Sequence, residues 1–517
     1  MAISTTLKEG WKRWPPPNTG RYSMKKILTL MLAAGMTFSA VNAASAVDVK
    51  IDGTFDFAFS GTEGINGSNS FMDEHDYRRN TGREQNQRHF DVLQRLRLGA
   101  EFTMSEQLSG YYQMQVGTFT WGGPYKGAGK AENDGSALGT RAANIVTRLA
   151  YLDWMVPRTS VHVRMGQQPV ALPGFAAGSP VLDDTAAGVV ISSPIGDHFD
   201  IAGMWLRAVS DPLRNSSGEY ELDSADVDLF GLVGNVKFDD FTIVPWAMVG
   251  HGGKNFERVR NAGTTASGVL PFNGMERIIR EGDTYWGEYS PSSSTIWFGG
   301  VSGELRLFDP FRFALDFYCS GLNNAHSSTE RGGWYIAGLA EYKTPWVTPA
   351  LAAWYASGDD SNPANGSEQP LSLSGNFQPG ASTYFKGRYS IANTINNSSP
   401  AGTWGLSAQL NSFTFLEGLS HDLRLTYFQG TNSKNMPGFI NGVYGDTVTP
   451  ASYLTEKDKV IEIDFDTTYE IYKNFFTVLE LSYAFQDFDK SVWRNTSDEK
   501  GEFSDAWRAA LNFRYKF

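Results

Sequence analysis

The sequence predicts an all-β fold, a closed transmembrane antiparallel β-barrel of about 18 strands, with 16 as the alternative. Three observations lead there: the pattern of the final residues, the rhythm of strands and loops, and the character of the two ends. From Trp507 onward, Trp507, Ala509, Leu511, Phe513, Tyr515 and Phe517 occupy one set of alternate positions, and Arg508, Ala510, Asn512, Arg514 and Lys516 the other. A period of two marks a strand. One apolar face and one cationic face suit a wall between hydrocarbon and water. The last strand of a soluble sandwich would show the same local pattern, so the rest of the chain has to decide.

At the other end, Met24-Lys25-Lys26 precedes an apolar run from Ile27 to about Ala40, and Ala44-Ser45-Ala46 supplies a small-residue cleavage site. Residues 24–46 therefore read as a secretory signal peptide, with an apolar run too short to cross a bilayer. Residues 1–23 lie upstream of a complete signal and read as an over-extended start. Residues 47–517 are then a single barrel domain.

Removal of 1–46 takes away six cations and only Glu9, a charge of +5, so the chain goes from −12 to −17. So acidic a chain is not expected to bind nucleic acid. Cys319 is the only cysteine, which excludes an intrachain disulfide. A closed, fully hydrogen-bonded barrel holds a chain together without one. After the signal, no stretch reaches the roughly 18 consecutive apolar residues of a membrane-spanning helix. The 54 glycines, 14% aromatics and mean hydropathy of −0.32 fit an apolar belt around a polar interior with long wet loops.

In chain order, Val49, Ile51, Gly53, Phe55, Phe57 and Phe59 alternate with polar or small residues and form the first strand. The second puts Val92, Leu96, Leu98, Ala100 and Phe102 outward and Asp91, Arg95, Arg97 and Glu101 inward. After a short turn at 105–109, Tyr112, Met114 and Val116 face outward on the third. Further strands fall near 141–156, 159–167, 186–193, 198–209, 225–238, 240–250, 295–308, 311–320, 331–343, 347–357, 402–415, 420–429, 459–472, 475–487 and 505–517. Short turns such as Tyr472-Lys473-Asn474 and Phe308-Asp309-Pro310 alternate with long polar segments near 251–294, 358–401 and 430–458. A sandwich has no reason to gather its long loops at one end, so the barrel is favoured.

Across the mature chain the pattern resembles Gram-negative outer-membrane porins. The segment Arg148-Leu149-Ala150-Tyr151-Leu152-Asp153-Trp154, then Val163 to Gln168, then the Pro/Gly-rich stretch to Leu182-Asp183-Asp184, is similar to the approach to a porin's third external loop. The whole resembles the homotrimeric porins of sulfate-reducing bacteria. The resemblance implies a water-filled channel for passive diffusion of small hydrophilic solutes and ions, located in the bacterial outer membrane. It also implies a homotrimer, contact with lipid and lipopolysaccharide, and no cofactor. Phe517 resembles the C-terminal signal read by the barrel-assembly machinery. Carried over by position, the loop Pro169–Asp184 is the constriction loop, with Asp183 and Asp184 opposite Arg95, Arg97, Arg148 and Arg164.

Alternation also places Arg508, Arg514, His162, Arg306, Arg312 and Arg424 inward, with the acids Asp52, Asp56, Asp226, Asp228, Glu304, Asp316, Glu462, Asp464, Asp466 and Glu470. The cations concentrate on strands 2, 4 and 5 and the acids on 459–472. With an uncharged stretch from Leu172 to Gly178 in the constriction loop, the narrowest point is expected to be basic and to favour small anions. For each arginine the competing reading is a structural ion pair, such as Arg97 with Asp56 or Arg306 with Asp316. For Asp183 and Asp184 it is a turn or cap role. Trp154, Trp246, Trp297, Trp346, Trp354 and Trp507 lie near strand ends, as interfacial girdles do. The seven histidines show no metal-ligand spacing, and no nucleophile elbow or phosphate loop stands in context, so no enzyme is expected. A substrate-specific channel for a sugar or oxyanion, and a non-conducting structural or enzymatic barrel, remain as alternatives.

Overall fold

The structure, a computed structural model, describes residues 47–64, 89–123, 138, 145–210, 226–253, 279–280, 283–284, 293–323, 330–363, 365–387, 391, 399–444, 448, 453–493 and 505–517. The start region 1–23 and the signal peptide 24–46 lie outside the described residues.

Eighteen strands join in one closed sheet. They are β1 (Asp48–Glu63), β2 (His89–Ser105), β3 (Leu108–Thr120), β4 (Ile145–Met155), β5 (His162–Ala171), β6 (Asp183–Pro194), β7 (Phe199–Val209), β8 (Val227–Lys237) and β9 (Phe241–Gly252). The second half comprises β10 (Ser294–Leu305), β11 (Phe311–Asn323), β12 (Arg331–Tyr342), β13 (Thr348–Ala356), β14 (Thr403–Leu416), β15 (Leu419–Gly430), β16 (Lys459–Tyr472), β17 (Phe475–Asp487) and β18 (Ala506–Lys516). Each strand pairs with its neighbour in sequence, and β18 closes on β1 in antiparallel register from Thr54 opposite Lys516 to Glu63 opposite Trp507. The strand count is 18, and the alternative of 16 falls.

Closure extends to the last residue. The Phe517 N–H donates to the Gly53 carbonyl at 3.1 Å, and the Gly53 N–H donates back to Phe517 at 3.0 Å. A Cβ on Gly53 would stand 2.5 Å from the Phe517 ring and 2.6 Å from the Arg97 carbonyl oxygen, so the seam needs glycine there.

Segments of two to six residues join alternate strand pairs, as at 106–107, 417–418 and 473–474, and the longer connections all leave from the opposite end. Outside, Leu315, Leu351, Leu406 and Leu425 are each more than half exposed, a belt with hydrocarbon as its solvent. Inside, two stretches from the long-loop end enter the barrel among the described residues: 172–182, between β5 and β6, and 371–387, between β13 and β14. They pair with each other. Leu373 N–H donates to Val181 O at 2.9 Å, Asn376 N–H to Ser179 O at 2.6 Å and Gln378 N–H to Ala177 O at 2.8 Å. Their apolar side chains Leu172, Val181, Leu371, Phe377 and Phe385 pack in one cluster with Trp246, Tyr318, Tyr335, Trp354 and Phe428 of the wall. The helix α1 (Met436–Tyr444) adds Met436 and Ile440 to it. The lumen beside β8 to β16 is thus filled by an apolar plug.

Of the tryptophans read as girdle residues, Trp154, Trp297 and Trp346 are exposed on the outside. Trp246 and Trp354 belong to the plug instead, because that stretch of wall meets apolar side chains on both faces.

Candidate functional site: a cationic lumen wall and the loops that narrow it

A chain entering a barrel brings unpaired backbone N–H groups into a buried place, and these need acceptors. The wall carboxylates supply them. Asp316 on β11 accepts the N–H of Phe175 at 2.9 Å and of Ala176 at 2.7 Å, and the Ser302 hydroxyl donates to the Pro173 carbonyl at 3.1 Å. Residues 172–182 therefore cross the lumen from β5 and β6 to β10 and β11. The second loop is held in the same way on β16. Glu462 accepts the N–H of Thr383 at 2.6 Å and of Tyr384 at 3.1 Å, and Asp464 that of Ser382 at 3.1 Å.

This changes the reading of the acidic strand. Glu462, Asp464 and Asp466 are essentially fully buried under the loop they anchor, and do not face an aqueous lumen. Arg508 is buried with them and donates to the Ser382 hydroxyl at 3.0 Å, so it supports the loop from behind and does not line the pore.

The part of the wall away from the plug is built by β1 to β4 and β18. Asp56 on β1 lies between two guanidinium groups, Arg95 at 3.0 Å and Arg514 on its other oxygen. Arg97 instead donates to the Gln115 amide oxygen at 2.9 Å, and Arg148 to that of Gln113 at 3.3 Å. Among the described residues, neither Arg97 nor Arg148 has a carboxylate within ion-pair distance. Gln113 donates in turn to Tyr111, whose hydroxyl donates to Asp52 at 2.9 Å. Amides and a phenol thus position the two arginines without cancelling their charge. Arg148 reaches the lumen through a β-bulge: Gln113 pairs with Leu149 and Met114 with Thr147, which leaves Arg148 as the extra residue. A cavity of about 180 Å³ lies between Asp56, Asn512, Arg514 and Lys516 of this wall and Ile391 of the second loop.

The structure thus brings together Arg95, Arg97, Arg148 and Arg514. Arg164 stands apart, paired with Asp153 and stacked 4.8 Å from the centre of the Tyr151 ring. Asp183 accepts from the Asn376 amide at 2.7 Å and Asp184 from the Ser374 hydroxyl at 2.6 Å, so both clamp the two loops together and do not face the arginines. Asp56 pairs with Arg95 and Arg514 where Arg97 was the expected partner, and Arg306 pairs with Glu304, not Asp316. Asp226 and Asp228 are not lumen acids. Both bind Arg207, at 3.1 and 2.7 Å, and Asp228 also accepts from Trp205 on the outer face. Parity is inverted there because Val227 and Leu229 turn inward onto the plug.

Sequence reasoning missed Lys386, an exposed cation near the end of the inserted segment 371–387, and the capping role of the wall acids. Charge on the long 358–401 segment was the available signal for the first. Nothing local signals the second.

A closed barrel with an even number of strands, an apolar outer belt and loops from one end folded into a polar lumen defines a multi-pass β-barrel of the bacterial outer membrane. No protein-family model and no curated protein sequence matches the chain. Among solved structures it is similar to OccAB3 of Acinetobacter baumannii, at a TM-score of 0.50 and 13% identity over 91% of this chain and 99% of that one. It also aligns with the outer membrane protein OprD of Pseudomonas aeruginosa, at 0.48 and 14% over 91% and 94%. OccK2 of Pseudomonas aeruginosa in complex with glucuronate aligns at 0.47 and 12%, over 91% and 98%. At this identity the likeness is one of fold.

Proposed function

We propose that the chain is a porin, a water-filled channel through which small hydrophilic solutes diffuse passively, with preference for small anions. The observation that carries this reading is the pair Arg97 and Arg148, set on the wall away from the plug with amide partners only among the described residues. Lumen arginines of uncompensated charge raise the local concentration of anions and repel cations. Barrels of 16 to 18 strands leave an aqueous channel, so transport needs no cofactor. The plug narrows that channel to the sector of β1 to β4 and β18.

Assembly as a homotrimer, contact with lipopolysaccharide and use of Phe517 as an insertion signal belong to the same proposal. The resemblance supports all three, and the Phe517 ring, exposed on the end of β18, supports the last. The test is a planar bilayer under a KCl gradient. A stable step conductance whose reversal potential favours chloride supports the proposal, and a correctly inserted barrel that carries no current refutes it.

A further inference from the structure

Where β18 closes the barrel, the cavity of about 180 Å³ described above has two unlike halves. The strand register sets them side by side. Arg514 of β18 stands opposite Asp56 of β1 on one flank and Phe476 of β17 on the other. Two residues further along, Asn512 is opposite Val478, and Val478 is opposite Thr468 of β16. Lys516 and Ile391, which follows the inserted stretch 371–387, complete the lining.

The two cations here are accessible and only partly used. Arg514 donates through Nε to Asp56, and its side chain keeps 26% of its surface. The exposed Lys516 ammonium lies 5.9 Å from the centre of the Phe476 ring, which places it at the cavity that this ring lines. Among the described residues, nothing accepts a hydrogen bond from the Arg514 terminal nitrogens or from that ammonium. Asp56 is shared between Arg95 and Arg514, so it does not cancel the charge of both cations in the lining. Beside them, Phe476, Val478 and Ile391 present apolar surface. A mostly apolar hollow with a few placed polar groups is the ordinary form of a small-molecule site. An inorganic anion would use the cationic half alone, whereas an acid with a short alkyl chain uses both.

We propose that this cavity binds a short-chain aliphatic monocarboxylate. The carboxylate accepts from the Arg514 terminal nitrogens and the Lys516 ammonium, and the alkyl chain lies against Phe476, Val478 and Ile391. The volume equals that of about six waters in the liquid, which suits a four-carbon acid. The site deepens the proposed anion preference and rests on the channel reading for the route by which solute arrives, along the wall of β1 and β18.

Binding is measured apart from conductance, by isothermal titration of folded, detergent-solubilised barrel with butyrate. Formate, which has the charge without the chain, and butylammonium, which has the chain with the opposite charge, are the comparison probes. The expected result is saturable butyrate binding at least tenfold tighter than either probe. Lys516→Ala, a change at an exposed side chain, should weaken butyrate about fivefold, and Phe476→Ala should cut its advantage over formate to less than threefold. Arg164→Ala, paired with Asp153 elsewhere on the wall, should leave binding within twofold. Absence of saturable butyrate binding, formate binding as tight as butyrate, or indifference to both cavity substitutions overturns the proposal. Reversal-potential measurements on the same preparation decide the channel reading separately: a barrel that conducts chloride without binding butyrate sinks the site alone, and one that binds butyrate without conducting sinks the channel alone.

Discussion

The carboxylate of Asp316 caps the backbone of Phe175 across the lumen, accepting its N–H at 2.9 Å and that of Ala176 at 2.7 Å from 140 residues further along the chain. The plug depends on such caps: an acid on a distant strand receives the N–H groups of a loop that would otherwise carry them unpaired into the barrel.

Replacing Asp316 by Ala leaves two half-buried donors without acceptors, a loss of up to about 1–3 kcal/mol for each. The barrel itself survives, because its strands pair independently of the loop. The expected outcome is a larger, noisier single-channel conductance as 172–182 loosens, with the heat-induced unfolding midpoint only modestly lowered. An unchanged conductance trace would show that the cap does not set the pore.

Arg97→Ala and Arg148→Ala each remove a charge that has no carboxylate at ion-pair distance among the described residues. Each is expected to reduce the chloride-to-potassium permeability ratio by roughly two- to fivefold, with smaller effects at high salt, where the Debye length shrinks to about 3 Å. Arg508→Ala is the contrast: it sits behind the second loop, so its loss should appear in stability and leave the ratio close to wild type.

Asp56→Asn moves selectivity the other way. Asp56 neutralises part of the charge of Arg95 and Arg514, so its amide frees both guanidinium groups toward the lumen. Anion preference should rise, about twofold, and the reversal potential read under a KCl gradient should shift in the direction opposite to that of Arg97→Ala. A shift of the same sign as Arg97→Ala would mean that Asp56 is not part of the field.

The hydrogen bonds that close the long-loop end are expected to depend on pH. Asp359, in the connection after β13, accepts hydrogen bonds from the Ser367 and Tyr453 hydroxyls and the Glu368 N–H. Burial pushes its carboxyl above the usual carboxylate range, against the opposing pull of these hydrogen bonds. A carboxyl with a raised folded pKa stabilises these contacts fully below the ordinary carboxylate range and loses that contribution as pH rises through the raised value. Glu368 and Asp458 move in the same direction, each chiefly through burial. Limited proteolysis of the outer loops should thus accelerate as pH rises from about 4 to 8. Asp359→Asn should flatten part of that slope; an identical slope would assign the dependence to other groups.

Nearly all of the wall was legible from alternation: β16 and β17 stand where the pattern puts them, at 459–472 and 475–487. Period two fails where the lumen is dry. On β8, Val227 and Leu229 face an apolar plug, so the polar residue Asp228 ends up outside, and polarity no longer reports direction. Arg148 does face inward as the sequence reading has it, although the bulge that turns it there has no local pattern to announce it. The roles of Asp316 and Glu462 were illegible because a carboxylate that caps a distant loop has the same sequence pattern as one that faces water. The clustering of Arg95, Arg97 and Arg514 was legible because β18 closes on β1, next to β2, in any barrel of this topology.

On the proposed function, solute passes along the wall of β1 to β4 and not through the half of the barrel beside β8 to β16. A cysteine placed at either surface and exposed to a charged, membrane-impermeant thiol reagent during current recording tests it directly, in a Cys319→Ser background. With Arg97→Cys, the reagent should change the single-channel current within seconds to minutes. With Ser302→Cys, beneath the plug, it should leave the current untouched. Rapid modification at Ser302 with none at Arg97 would overturn this route, because the water-filled path would then lie on the side that the plug fills.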